Sequence, residues 1–322
     1  MLRLILAACL AGLLLTSCAP STKKEPPFFI STGGSTGVYY VLGQSICKKY
    51  NETEHAGLPG CSAPSSGGSK ANLKALAEDS VEMAIVYSVW AKEAAQGTSG
   101  ITGLGRMDDL RAIASFYPEP LNILVRRDAG IDRLADLTKA RVAVPENTWS
   151  SGFFYMVTHS QGWTESSFAA VTSVDSTKAA IDAFCRGEVD AIPVATGHPS
   201  GNVRRVTESC GAKLLSVSGP AIAEEIAGDL ALAPAEIPAS MYSGQEGTIM
   251  TFGPRPLLVT RADAPDDLVR AVAESVFGDL EAFKRLHPAF APIVPEEMIS
   301  ASIPIPLHPA AAAYYREIGL LN

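Results

Sequence analysis

The stretch Phe28–Tyr40, FFISTGGSTGVYY, decides how this chain is read. A short apolar run ends in glycines, and the glycines open into residues with helical spacing. A strand that hands over to a helix in this way leaves the first backbone N–H groups of the helix without partners. Such a terminus favours anions, through the free donors and through the helix dipole. Gly33, Gly34 and Gly37 let a ligand approach the backbone closely. Ser35 and Thr36 add hydroxyls, and Tyr39 and Tyr40 add flat surfaces. The stretch reads as a cradle for a small carboxylate-bearing solute.

The same strand–turn–helix grammar continues outward. Val38, Val41, Leu42 and Ile46 fall at helical spacing, so Val38–Tyr50 is predicted as a helix. Ser66–Ser69 opens a second predicted helix, Lys70–Glu78. Met83–Tyr87 reads as a buried strand, and Val89–Ala95 as a helix. Arg111–Phe116 and Leu121–Val125 are apolar runs separated by Tyr117-Pro118-Glu119-Pro120. A second cycle starts near Arg126. Arg141–Val144 is a predicted strand, and Thr148–Gly152 a Ser/Gly turn into the helix Phe153–Gln161. Asp175–Arg186 reads as a helix, Val189–Ala195 as a strand, and Thr196-Gly197-His198-Pro199 as a turn into the next helix. Thr248–Val259 reads as one returning strand, and Asp266–Arg285 and Ala310–Gly319 as helical. Alternating strands and helices predict an α/β fold with mostly parallel sheets. In such sheets ligands bind beyond the carboxyl ends of the strands. Three alike turns, two from the first half and one from the second, predict two halves facing each other like a clamshell.

The chain has 322 residues, 47% hydrophobic and 19% charged, which is enough for two domains. Its formal net charge of −8, without a basic cluster, argues against nucleic acid as a partner. Arg3 followed by the apolar stretch Leu4–Leu15 reads as a signal peptide, too short to span a bilayer. No later segment is long and apolar enough to cross one. The cysteines left after Cys9 and Cys18 are Cys47, Cys61, Cys185 and Cys210. An even number in an exported chain predicts disulfides, with three possible pairings, of which the local one, Cys47–Cys61 with Cys185–Cys210, is simplest. No C-x-x-C and no neighbouring histidine pair points to a metal, and no cofactor is indicated.

Leu15-Thr16-Ser17-Cys18 resembles the lipobox of bacterial lipoproteins, in which the cysteine becomes the lipid attachment site. The mature chain resembles the solute-binding proteins of TAXI-type TRAP transporters. The resemblance is carried by STGGSTGVYYVLG, the Cys47…Cys61 spacing, SSGGSKANLKAL (Ser65–Leu76), VEMAIVYS (Val81–Ser88), Ala114–Val144, AFCRGEVDAIPVATGHPSG (Ala183–Gly201), IPASMYSGQ (Ile237–Gln245) and IPLHPAAAAYYREIGL (Ile305–Leu320). It implies a two-lobed periplasmic-binding-protein fold of the type II, Venus-flytrap kind. The implied organisation is a signal peptide over 1–18, a tether over 19–27, a first lobe over 28–125, a second over 126–243, and a return to the first over 244–322. Hinge strands are expected near Leu121–Arg127 and Gly244–Gly253. The resemblance implies a small dicarboxylate or amino acid as ligand (glutamate-like or 2-oxoglutarate-like), handed to TRAP membrane permease subunits, with the membrane touched only through Cys18. Positions matching the family's ligand contacts are Gly33, Thr36, Gly37 and Tyr39; Ser66, Ser69 and Asn72; Tyr87 and Ser88; Glu119; and Ser150, Ser151, Gly197 and His198 on the far lobe. Gly34 joins them from the cradle. Tyr87 stands where the family carries an amide, which implies a more apolar or aromatic side group on the ligand, and Trp149 narrows the second-lobe turn.

Parts of the same sequence also fit other functions. A receptor for an ABC importer or a sensor kinase would share the fold. Gly33–Gly37 also matches G-x-S-x-G, the nucleophile elbow of hydrolases, with Ser35 as nucleophile. That motif sits on the first strand of the mature chain, with no upstream loop to complete an oxyanion hole. His198 fits a hydrogen-bonding role better than that of a general base. Glu119, between two prolines, is held extended, where it either meets an ammonium group or orients Tyr117. The Gly/Ser turns contain no arginine, so hydroxyls and backbone amides are left to hold a carboxylate.

Overall fold

A computed structural model describes residues 26–322 apart from residues 36, 54 and 147. The signal peptide, Cys18, all but the last two residues of the tether, and Thr36 lie outside the described residues.

The opening apolar run forms β1 (Phe28–Ser31), and α1 (Val38–Asn51) follows the glycine turn. β2 (Cys61–Ser62), α2 (Ser69–Ala77), β3 (Met83–Tyr87), α3 (Ser88–Gln96) and β4 (Leu110–Ser115) complete the first half. The second runs through β5 (Leu121–Arg126), β6 (Arg141–Pro145), α4 (Trp149–Ser160), β7 (Ala170–Val174), α5 (Thr177–Cys185), β8 (Ala191–Ala195), α6 (Gly201–Ser209), β9 (Ala212–Leu215) and α7 (Pro220–Gly228). β10 (Ala233–Ile237) and β11 (Ile249–Gly253) form an antiparallel ribbon. β12 (Pro256–Arg261) then leads to α8 (Asp266–Phe277), α9 (Leu280–Lys284), α10 (Pro295–Met298) and α11 (Pro309–Glu317).

The strands build two five-stranded sheets, ordered β2-β1-β3-β12-β4 and β7-β6-β8-β5-β9. In the first, β1 pairs parallel with β2 and β3, whereas β12 runs against β3 and β4. In the second, β6 pairs parallel with β7 and β8, whereas β5 runs against β8 and β9. The sheets are therefore mixed. The strand that enters each sheet from the other half runs opposite to its neighbours, because the chain arrives from the far end.

Two boundaries differ from the sequence expectation. Leu121–Val125 was expected in the first lobe, but β5 lies inside the second sheet, so the crossing falls at Phe116–Pro120. Thr248–Val259 was expected as one strand, but it splits at Pro254-Arg255 into β11 and β12, which belong to different sheets. A proline lacks the N–H that a continuous ladder needs, and both crossings carry proline, Pro118 and Pro120 in the first and Pro254 in the second.

Helices α1, α8 and α11 pack together over the first sheet, with Leu42, Ile46, Val269, Val272 and Tyr315 fully buried among them. Each such apolar side chain contributes about 1.5–3 kcal/mol by leaving water. Gly43 lets α1 lie close on β1, since a Cβ there would collide with the Thr32 methyl. The local disulfides form. Cys47–Cys61 ties α1 to β2, and Cys185–Cys210 ties the end of α5 to the end of α6. Among the described residues no helix is long and apolar enough to cross a membrane, and no group of three His, Cys, Asp or Glu is placed to hold a metal.

Candidate functional site

Both sheets direct the carboxyl ends of their parallel strands toward a shared cleft. One cavity, of about 590 Å3, is lined by Tyr39, Ser69, Lys70, Tyr87, Trp90 and Glu119 from the first half and crossing, and by Thr148, Trp149, Ser150, Thr177 and Ala195 from the second. A second, of about 500 Å3, has Gly33, Gly34, Gly37, Val38 and Gly68 on one side and Thr196, Gly197, Pro199, Ser200 and Gly201 on the other. Tyr39 and Glu119 belong to both. The volumes suit a small molecule.

Helix starts gather here for a local reason. Gly37 and Gly68 cap α1 and α2 without a side-chain hydrogen bond, so the first N–H groups keep their capacity for another acceptor. Gly68 needs its glycine, with φ at +82°. Thr148 caps α4, its Oγ1 accepting from the Ser151 N–H at 3.3 Å, and Ser200 caps α6. Thr177 opens α5. Five dipole ends thus border one hollow and bias it toward negative charge.

Glu119 sits at the junction. Its N–H donates to the Pro254 carbonyl at 3.0 Å, and its own carbonyl accepts from the Tyr87 hydroxyl at 3.3 Å. Gly197 packs beside the side chain: a Cβ there would lie in ordinary contact, 3.5 Å from Glu119 Cγ. Burial pushes the Glu119 carboxyl up to about 7, with the Tyr87 hydroxyl pulling the other way. Burial, and then the Glu119 charge, push the hydroxyls of Tyr39, Tyr87 and Tyr117 well above the usual phenol range. The Tyr117 hydroxyl is buried with no partner. Aromatic rings from both halves meet at the rim: Trp149 lies 5.8 Å from Tyr87, 5.4 Å from Trp90 and 5.7 Å from Phe153. Lys70 rests 4.4 Å above the Trp90 ring.

Of the positions expected from the sequence, Gly33, Gly34, Gly37, Tyr39, Ser69, Tyr87, Glu119, Ser150 and Gly197 line the cleft. Five do not. Asn72 is fully buried and acts as a staple, accepting from Ser31 Oγ at 2.7 Å and Ser66 Oγ at 2.6 Å while donating to the Thr32 and Ile85 carbonyls. Ser66 is spent on that staple and on the Gly68 N–H. Ser88 is fully buried, donating to the Ala231 carbonyl at 2.7 Å and accepting from the Arg255 N–H at 3.1 Å. Ser151 turns its Oγ back to the Thr148 carbonyl. His198 faces a separate, proline-lined cavity of about 270 Å3 and shares a 2.6 Å hydrogen bond with the Tyr242 hydroxyl; burial lowers its pKa to about 4. Ser35, the nucleophile of the hydrolase alternative, is exposed on its turn.

The sequence reading missed Lys70, Trp90, Thr148 and Thr177 as lining residues. All stand within the first turn of a helix or at its cap, which is the signal that marks them. A further cavity, of about 510 Å3, lies away from these turns between α7, the β10–β11 ribbon and Ser300–Ser302, and is lined mainly by apolar side chains.

The match to the NMT1-like family model runs over residues 30–319. The chain belongs to the NMT1-like family. Solved structures similar to this NMT1-like chain include a TctC solute binding protein from Polaromonas, 16% identical, covering 84% of this chain and 89% of that one, with a TM-score of 0.58. Another is the periplasmic aliphatic sulphonate binding protein SsuA from Escherichia coli, 14% identical, covering 91% and 84%, with a TM-score of 0.51. A third is a sulfonate-binding SsuA, described as putative, from Methylobacillus flagellatus KT, 12% identical, covering 92% and 88%, with a TM-score of 0.52. Identities this low establish the fold alone: this NMT1-like chain has the two-sheet α/β fold of periplasmic solute-binding proteins.

Proposed function

We propose that the protein is an extracytoplasmic solute-binding receptor, and not an enzyme, that captures a small carboxylate-bearing solute and delivers it to a membrane permease. The observation that carries this reading is the cleft itself. Turns from both sheets wall it, and Tyr39 and Glu119 join its two compartments. The ligand sits among the helix starts of both halves and stabilises the form in which they approach, so binding shifts the population toward closure. The two crossings, Phe116–Pro120 and Pro254-Arg255, are the hinge. The two lobes are residues 28–120 with 254–322, and the intervening segment.

The resemblance of the mature chain to TAXI-type receptors supports a TRAP permease as partner, and Cys18 in a lipobox-like sequence supports a lipid anchor holding the receptor at a membrane. The sulfonate-binding neighbours support an ABC importer as the other candidate partner. Reconstitution with each permease separates the two, since a TRAP system runs on an ion gradient and an ABC system on ATP. The receptor reading is tested by a thermal-shift screen with dicarboxylates, 2-oxoacids, sulfonates and amino acids. A ligand that binds only the native state raises the melting temperature, by about 2.7 kcal/mol of stabilisation at a hundred times its Kd. A flat response to every small acid overturns the reading.

A further inference from the structure

We propose that the captured solute carries a positively charged nitrogen beside its carboxylate and a flat apolar body, as an aromatic amino acid does, and that Glu119 is the counter-ion of that nitrogen. The inference rests on the receptor reading above and narrows it.

The argument starts from what surrounds Glu119. The residue lies between two prolines on the crossing, and its backbone N–H and carbonyl are both satisfied by protein groups. Its side chain borders both compartments of the cleft. Its titratable neighbours are the neutral phenols of Tyr39, Tyr87 and Tyr117, and among the described residues no Lys, Arg or His forms an ion pair with it. A carboxylate taken out of water without a cation is costly, and proteins pair such groups or neutralise them. Here the space opposite is an open cavity, so the cation that pairs Glu119 is one that enters. The raised carboxyl pKa is what a half-buried acid without a cation shows, and an arriving ammonium would lower it again.

The rest of the compartment supplies the other two features. Lys70, the Thr177 hydroxyl and the starts of α2, α4 and α5 offer a carboxylate its partners, whereas the Thr148 hydroxyl already donates to the Pro145 carbonyl at 2.8 Å. Tyr87, Trp90 and Trp149 line the same compartment, with the Trp149 ring 5.8 Å from that of Tyr87 and 5.4 Å from that of Trp90. A flat apolar group gains from stacking there, and a cation gains from the ring faces. A dicarboxylate would instead bring a second negative charge against Glu119.

The test uses matched pairs that differ only in amine against ketone, measured by calorimetry on the purified mature protein. The pairs are L-phenylalanine with phenylpyruvate, L-tryptophan with indole-3-pyruvate, and L-glutamate with 2-oxoglutarate. The expected result is at least tenfold tighter binding of the amine in each aromatic pair, and tighter binding of phenylalanine than of glutamate. Glu119→Gln is expected to remove the amine's advantage and leave ketone affinity unchanged or improved. The wild-type comparison stands without the variant, so a poorly folding Glu119→Gln does not spoil it. Ketones that match or exceed their amines overturn the role of Glu119 while leaving the receptor reading intact. Glutamate binding as tightly as phenylalanine overturns the aromatic half. Failure of all six compounds to bind, while another small acid raises the melting temperature, overturns this inference and leaves the receptor reading standing.

Discussion

Gly253 presses against the backbone of Glu119: a Cβ at Gly253 would lie 2.8 Å from the Glu119 carbonyl oxygen and 2.6 Å from Pro120 Cα. The two crossings are thus in van der Waals contact at the point that aims the cleft's acidic side chain. The neighbour here is backbone and cannot swing away. Gly253→Ala is therefore expected to cost about 1–3 kcal/mol, the usual penalty for overpacking. Urea unfolding checks the stability, and ligand affinity should fall with it as Glu119 shifts. An unchanged midpoint would show that the crossings are looser than this contact implies.

Asn72 gives a second test, because its side chain serves four partners from three segments. Removing it leaves two hydroxyls and two carbonyls of a buried site short of a bond, and each unsatisfied group costs about 1–3 kcal/mol. Asn72→Ala is expected to destabilise by about 3 kcal/mol or more in urea. A variant of normal stability whose only defect is weak ligand binding would return Asn72 to the cleft.

What was legible in the sequence was local. The apolar run before Gly33, the Ser/Gly starts of α2 and α4, and the short loops between cysteine partners are all decided by residues close in the chain. Two residues that lie off the cleft share one physical form. Asn72 and Ser88 are polar residues at or near helix starts, which is also where ligand-facing side chains sit. What separates them is a partner: Ser31 lies 41 residues from Asn72, and Ala231 lies 143 from Ser88. Such distances leave no trace in spacing. The split of Thr248–Val259 was hidden for the same reason, since the pattern of an apolar run does not say which sheet receives each half. Lys70 is an exposed lysine in sequence terms, and only the fold carries it over Trp90.

Glu119 makes the ligand-free protein pH-sensitive. Its folded pKa of about 7 lies above the ordinary carboxylate value, so the folded state holds the proton more tightly than the unfolded chain. The sign follows from linkage: this group's contribution is fully present below the unfolded pKa and is lost as pH rises through about 7. At about 1.4 kcal/mol per pKa unit the loss is at most about 3.5 kcal/mol, less where solvent screens the group. Melting curves of wild type and Glu119→Gln should converge near pH 5 and separate by pH 8, with the variant more stable. Parallel curves across that range would place Glu119 in water.

Both disulfides close modest loops, with partners 14 and 25 residues apart. Chain entropy assigns each about 3 kcal/mol of stability. The bond between Cys185 and Cys210 holds α5 and α6 of the second half, away from the cleft lining. Cys185→Ala with Cys210→Ala should lower the melting temperature by several degrees and leave ligand affinity within about twofold at temperatures where the protein remains folded. A large loss of affinity under those conditions would mean that α5 is positioned by the bond.

The seam between the halves offers a way to move the closure equilibrium without touching the ligand. Ser88, at the start of α3, bridges the Ala231 carbonyl and the Arg255 N–H, and it does so fully buried. One turn further on, Lys92 pairs with Asp229 at 2.9 Å, with both side chains part-exposed. The two contacts join the same segments but differ in worth. Losing the serine strands a buried donor and a buried acceptor, about 1–3 kcal/mol each, whereas a part-exposed ion pair contributes about 0–1 kcal/mol. Ser88→Ala should therefore enlarge the ligand-free radius of gyration in small-angle scattering and weaken ligand binding, while Lys92→Ala changes both little. Saturating ligand should restore the compact form of Ser88→Ala, because the ligand supplies the closing free energy that the serine no longer does. Equal effects from the two variants would mean that charge, and not the buried hydroxyl, holds the seam.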